Sequence, residues 1–465
     1  MRPLETNFPV PSFAAARRWL PALALLLTAG CSTYQRQPLD AAAVEAALHP
    51  SLAEARVTAA KFQHPLLKPL VIDGRDGFTP DEIALLAVIT SPQLRALRDQ
   101  RGVAQAQVVQ AGLLPNPQLG YTLDKQSGNT DPTLINGGSL GLSWDVTSLL
   151  GYRDRLAAAK STASALDLDI AWQEWQAAQA ARLTAYRVVS LESRLPLAQA
   201  TEAELAEALA LARQAHAEGH VTTAELAAAT EAWSAAQDAR FALEQDLTAQ
   251  RLALNLALNQ PADAPLRVKA GAIPPELPPT AAAALLDGLE QRRLDLVALT
   301  LGYESSEASL RAAVKAQFPR IGLSFTRAHD TSDVKTHSYG VTVDLPLFDR
   351  NQGAIAAGQA TRQQLFDEYV ARVAEARADV VQLLSNLAVA RTQLHTLEAE
   401  LPELEQVVAA LDRAMQTRNA DAAAWRDAHG ALLARRTALA RMRQDILELG
   451  VALELATGRP LLSSN

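Results

Sequence analysis

The chain has 465 residues, aromatics at only 5%, a net charge of -8 and a single cysteine. Ala, Leu, Gln, Glu and Arg dominate, which is the usage of long helices and not of a compact mixed domain. The acidic balance, with no basic block interleaved with aromatics, excludes nucleic acid as a partner. One cysteine excludes an internal disulfide framework and a cysteine metal cage.

Residues 1–30 read as a signal peptide: Arg17 and Arg18 form a positive region, and Trp19 to Leu27 form an apolar run too short to span a membrane. The following Leu27-Thr28-Ala29-Gly30-Cys31 resembles the bacterial lipobox. That resemblance implies that Cys31 becomes the lipidated first residue, each buried methylene adding about 0.8 kcal/mol of membrane affinity. A buried free cysteine is the alternative. Ser32, where Asp would retain a lipoprotein at the inner membrane, implies the outer membrane by the same analogy. No later segment approaches the roughly 18 consecutive apolar residues of a spanning helix, so any crossing must be made by β-strands.

Residues 31–77 read as an irregular periplasmic or equatorial segment with one short helix at Ala41–Leu48. Residues 78–258 form a first repeat and 289–457 a second. In each the order is helix, strand, strand, long helix, helix. The stretch from Ser91 to Leu97 aligns with that from Arg293 to Leu299, and Pro115 and Pro319 precede the strands. A repeat of this length means two copies of one unit. Strands are expected at about 118–126 and 138–147, then at about 320–327 and 337–345. Each alternates an apolar face with a small or polar one. Each is about nine residues long, the length a tilted strand needs to cross a bilayer. Four strands do not close a barrel, and an open edge does not sit in lipid, so copies must combine. Two copies give eight strands and three give twelve.

Helical hairpins follow at 152–258 and 352–456. Their first helices are about 66 residues each, roughly 100 Å at about 1.5 Å per residue. Pro196 and Pro402 lie inside them and mark kinks or changes of neighbour. Turns are expected at Glu218–Thr222 and Arg418–Asp421. Residues 259–288 read as a Pro- and Ala-rich linker and 458–465 as a C-terminal tail.

With these features in place, the chain resembles the TolC-like outer-membrane efflux family and its lipidated members. The resemblance covers the duplicated order, Pro115 and Pro319, the Leu345-Pro346-Leu347-Phe348 turn and the Gly219 tip. It implies a homotrimer, mainly α with a small β portion. A twelve-stranded outer-membrane β-barrel would continue into a long periplasmic α-helical tunnel, partnered by a periplasmic adaptor and an inner-membrane transporter. The run from Leu345 to Gly353 is similar to that of CzcC-type heavy-metal members with RND pumps. This motif reports lineage, not selectivity, so metal cations, drugs and secreted proteins all stand as cargo.

The same resemblance implies adaptor docking at Gly219, Val221 and Thr222 on the first tip and at Arg418, Asn419 and Asp421 on the second. Arg418 stands where glycine is usual. Asp427 falls on a gate position, while Ala424 occupies the other. Asp145 and Asp344 alternate toward the lumen side, where a ring of charge would favour cations; strand-end polarity explains them equally well. His216 and His220 are four apart at the first tip, a metal spacing if the helix continued, but Gly219 favours a solvated turn. His329, Asp330, Asp333 and His337 are placed in the second, extracellular loop. No catalytic constellation is present, and no cofactor or resident metal is expected. The competing readings are a periplasmic coiled-coil lipoprotein without a pore and, recommended by nothing, an enzyme on a helical scaffold.

Overall fold

The computed structural model describes residues 33–48, 50–125, 127, 134–270, 284–332, 334–417 and 422–461. It divides after Ala47 into two units. In the first, helix α1 (Ala41–Leu48) starts where the Asp40 carboxylate accepts from the amides of Ala42 and Ala43, and it buries no residue.

The second unit is mainly α with one four-stranded sheet. Its elements are α2 (Leu52–Ala59), α3 (Pro80–Thr90), α4 (Pro92–Ala111), β1 (Gln118–Asp124), β2 (Gly137–Asp145), α5 (Tyr152–Ala217) and α6 (Thr223–Ala257) in the first half. The second half supplies α7 (Leu289–Arg292), α8 (Leu294–Lys315), β3 (Arg320–His329), β4 (Lys335–Asp344), α9 (Gln352–Gln416) and α10 (Ala422–Thr457). Helix α2 lies in a stretch expected to be irregular. Ser51 caps it by accepting from Glu54 N, and Ala55 and Ala59 are buried, so a tertiary contact stabilises a segment with little periodicity.

Pro92 does not begin the helical region. It restarts it, because Ser91 is at once the C-cap of α3 and the N-cap of α4. Arg293 occupies the equivalent break between α7 and α8. Both α5 and α9 run unbroken through Pro196 and Pro402. In α5 burial is dense from Ile170 to Leu191, and beyond Pro196 only Leu209 is buried.

The apolar core sits where the helices are stacked deepest. One cluster joins Ile83, Leu86, Ala185, Val188 and Leu254, a second Leu296, Val380, Leu387, Ile446 and Leu453, and a third Val88, Trp172, Trp175 and Leu294. Ion pairs cross between the halves in the same region. Arg182 of α5 reaches Asp81 at 2.8 Å and also Glu454 of α10, which is wholly buried. Arg187 grips Glu448 through two bonds of 2.9 Å. The sheet is an antiparallel meander in the order β1-β2-β3-β4, and β2 with β3 joins the two halves.

Candidate functional site: a sheet with a bare apolar face and two helical tips

Strand register sorts the side chains into rows, since directly paired residues share a face. One row holds Leu119, Leu142, Phe325 and Tyr339; the next holds Tyr121, Leu140, Arg327 and His337. On this face Leu119 and Tyr121 are both 71% exposed, Tyr339 83% and Val341 67%, with nothing packed over them. The other face carries Gly120, Gly141, Ser143, Gly322, Ser324, Thr326, Gly340 and Thr342. The outer edges of β1 and β4 have no partner strand among the described residues. His329 and His337 correct the loop expectation, because both are strand residues paired with Lys335 and Arg327. The connection is short because Asp330 closes it, accepting from Ser332 N at 2.8 Å and Val334 N at 2.9 Å. Asp333 lies outside the described residues.

At the helical end of the sheet the chain turns sharply. Asp145 accepts from Thr147 N at 2.9 Å, so its carboxylate closes a turn, and Asp344 stands opposite Arg320. Trp144 Nε1 donates to Pro115 O at 2.8 Å. Asp154, on the first turn of α5, is gripped by Lys315 at 2.5 Å and Arg311 at 3.4 Å from α8. The Lys315 hydrogen bond holds its carboxyl below the ordinary carboxylate range. After β4, Leu345, Leu347 and Phe348 are exposed. Asn351, at φ +59°, then starts α9: Asp349 accepts its amide at 2.8 Å, and its own side chain donates to Ala313 O at 2.8 Å. Asparagine tolerates that left-handed conformation, so this motif shapes the junction.

The first tip is fully built. Gly219 has φ +78° and open space around it, so backbone freedom alone requires the glycine. Thr222 and Glu225 form a reciprocal capping box that starts α6. The Thr222 amide and hydroxyl hold the Glu225 carboxyl below its usual range. His216 Nδ1 lies 2.8 Å from Val221 O, committing the ring to the turn, while His220 is 3.9 Å from Glu218. The two histidines therefore do not converge. Among the described residues, no group of three or more metal-ligating side chains exists, and no helix is long and apolar enough to cross a membrane.

The profile of the outer membrane efflux protein family matches residues 86–260 and 285–459, one match on each half of the duplication. The chain belongs to the outer membrane efflux protein family. Solved structures agree at the level of fold. The outer membrane protein VceC from Vibrio cholerae is 18% identical with a TM-score of 0.63, covering 82% of this chain and 96% of its own. CusC, whose structures concern transmembrane channel formation, is 17% identical with a TM-score of 0.66, covering 93% and 100%. The open-state outer membrane channel MtrE from Neisseria gonorrhoeae is 16% identical with a TM-score of 0.61, covering 93% and 99%. No functionally curated protein sequence matches the chain.

In this efflux-family protein the second tip's Arg418, Asn419 and Asp421, like Cys31, lie outside the described residues. Just behind that tip, the structure shows a cluster that motif reading missed. Trp425 Nε1 donates to Asp412 Oδ1 at 2.6 Å, and His429 Nε2 lies 3.0 Å from the same oxygen. The His429 ring packs at a tilt of 35° against Trp425, centroids 4.2 Å apart, and its Nδ1 is 3.6 Å from Glu204 of α5. The Trp425 bond, then that of His429, holds Asp412 below the ordinary carboxylate range. One signal for it was available: residues equidistant from a hairpin turn face each other, and Trp425 and His429 are four apart. Asp427, two residues from Trp425, is exposed on the opposite side of α10.

Proposed function

We propose that this chain is the outer-membrane channel of a tripartite efflux system, a passive exit duct for cargo delivered by an inner-membrane pump through a periplasmic adaptor. Three copies join β4 of one to β1 of the next, giving a twelve-stranded barrel that continues into a periplasmic tunnel of hairpins. The single observation that carries this reading is the sheet: its apolar face is bare, its other face is small and polar, and among the described residues both its edges are open. In lipid, a closed barrel is the arrangement that satisfies such edges. Lipidation at Cys31 adds an anchor. The tips around Gly219, Val221 and Thr222, and around Arg418, Asn419 and Asp421, dock the adaptor. Asp427 rings the tip end of the tunnel, and Asp145 and Asp344 border the lumen. The Leu345–Gly353 motif supports the lineage of heavy-metal members with RND pumps, and through that lineage alone heavy-metal cations are the cargo proposed, with drugs or secreted proteins as the alternative.

Leu142→Lys and Val341→Glu test the barrel. Each should abolish outer-membrane assembly of the heat-resistant trimer, at about 2–4 kcal/mol per midplane charge for a lysine. Normal assembly of both variants overturns the barrel and leaves a periplasmic coiled coil. For cargo, gene deletion should sensitise cells to zinc, cobalt, cadmium, nickel or copper; complementation with wild type should restore growth, and Cys31→Ala should restore it less. Sensitisation to drugs alone overturns the metal assignment.

A further inference from the structure

The outward face of the sheet changes character along β3 and β4. From the helical end, the β3–β4 rows are Ile321 with Val343, Leu323 with Val341, and Phe325 with Tyr339; then come Arg327 with His337, and His329 with Lys335. Successive rows are about 6.6 Å apart along the strand. The apolar band is therefore capped, on the same face and at the loop end, by a cationic patch two rows deep. It is confined to half of the sheet, because β1 and β2 keep Tyr121, Leu123 and Leu140 in those rows.

Among the described residues, the patch lacks internal neutralisation. Arg327, Lys335 and His337 stand opposite His337, His329 and Arg327 and have no carboxylate partner among the described residues. Asp330 turns its carboxylate onto its own loop. His329 lends Nε2 to Asn136 O at 3.1 Å, which braces the patch against the β1–β2 connection. His337 is stacked at 6.2 Å on Phe325, the last apolar side chain below it on β3. At the opposite end of β3, by contrast, Arg320 stands across from Asp344.

We propose that this patch binds the phosphorylated headgroup of an outer-leaflet lipid whose acyl chains lie on the Leu323, Phe325, Tyr339 and Val341 surface below it. This rests on the barrel reading above. Charge complementarity selects the occupant: an arginine and a lysine on a fixed strand pair suit a phosphate monoester. The continuous apolar rows directly beneath suit the chains that a soluble phosphate lacks. A cation near a membrane surface contributes affinity of about fivefold.

The test uses the full-length protein reconstituted in bilayers. The probes are a bis-phosphorylated glycolipid and its dephosphorylated form with the same acyl chains. Retention of each is read by native mass spectrometry over a salt series. The wild type should prefer the phosphorylated form. Arg327→Gln and Lys335→Gln should each lower that preference about fivefold and flatten its salt dependence. Arg327→Lys should keep most of it, separating charge from misfolding. Equal retention of the two lipids by an inserted wild type overturns this inference alone, as does an unchanged preference in the double glutamine variant. Loss of the preference in millimolar inorganic phosphate, but not in sodium chloride of equal ionic strength, assigns the patch to a soluble anion and also overturns it. Failure of the wild type to enter any bilayer overturns the barrel reading itself.

Discussion

Helices α5 and α9 are the same element of a duplicated unit, 66 and 65 residues long and each with one interior proline, yet their surroundings differ sharply. α5 packs against α3, α4, α6, α8 and α10, while α9 meets α8 and α10. Accordingly α5 buries Trp172, Trp175, Arg182 and Tyr186, whereas the residues that α9 buries are Ala376, Val380, Leu387, Ala390, Leu394 and Val408 among those described. α9 also leaves Phe366, Val370, Val381, Val389 and Val407 exposed. The duplication copied the order of the secondary structure but not the neighbours. One helix holds the protomer together. The other presents apolar surface, which in the proposed trimer meets a second copy.

The contrast breaks most visibly at the buried residues of α5. Trp175→Ala should cost about 3–5 kcal/mol through the cavity it leaves. Glu454→Ala should cost a similar amount, about 3–5 kcal/mol, because Arg182 is then a buried charge without its main partner. Urea midpoints at fixed protein concentration measure both; a change within about 0.5 kcal/mol, as for an ordinary surface substitution, would place the stability elsewhere. Val389→Asp should do the reverse on α9, keeping far-UV helicity while abolishing the heat-resistant trimer. A trimer that survives would remove this face from the interface.

Two smaller effects sharpen the picture. Gly219→Ala should strain the first tip by about 1–2 kcal/mol, seen as faster amide exchange around His216 to Thr222 with the distant core unchanged. His64 supplies a pH dependence. Its Nδ1 accepts from Leu66 N and Leu67 N at 3.0 Å each, and Nε2 donates to Ala171 O at 2.9 Å beside Glu174. This geometry holds the neutral ring, and burial lowers its pKa from 6.5 against the pull of Ala171 O and Glu174. The folded state then binds fewer protons than the unfolded one. The contribution of His64 is complete above about pH 6.5 and declines as pH falls below that value. Proteolysis of the 60–70 segment should therefore rise on acidification in the wild type and vary less in His64→Gln. Equal pH dependence in both would sink the assignment.

Much of this was legible because it is local. The alternation at Ile321, Leu323 and Phe325 and the Gly219 turn each announce themselves within a few residues. What was missed depends on contacts across the chain. α2 is stabilised by the residues it packs against. The Asp412–Trp425–His429 cluster exists only once the second hairpin has closed. His329 and His337 were read as loop because polar residues usually mark loops; pairing with Lys335 and Arg327 keeps them in strand until Asp330 ends it.

The open edges of β1 and β4 have a consequence for biogenesis. Among the described residues, a single chain carries two raw templates for strand addition and no strand that covers either. In the proposed trimer, ring closure is thus a problem of timing and concentration, in which copies must meet before or during insertion. A chain with proline placed in β1 would spoil each ring that admits it. Co-expressed in equal amount with wild type, it would leave about one intact trimer in eight if the copies mix at random, a dominance expected of an assembly whose wall is shared among its members.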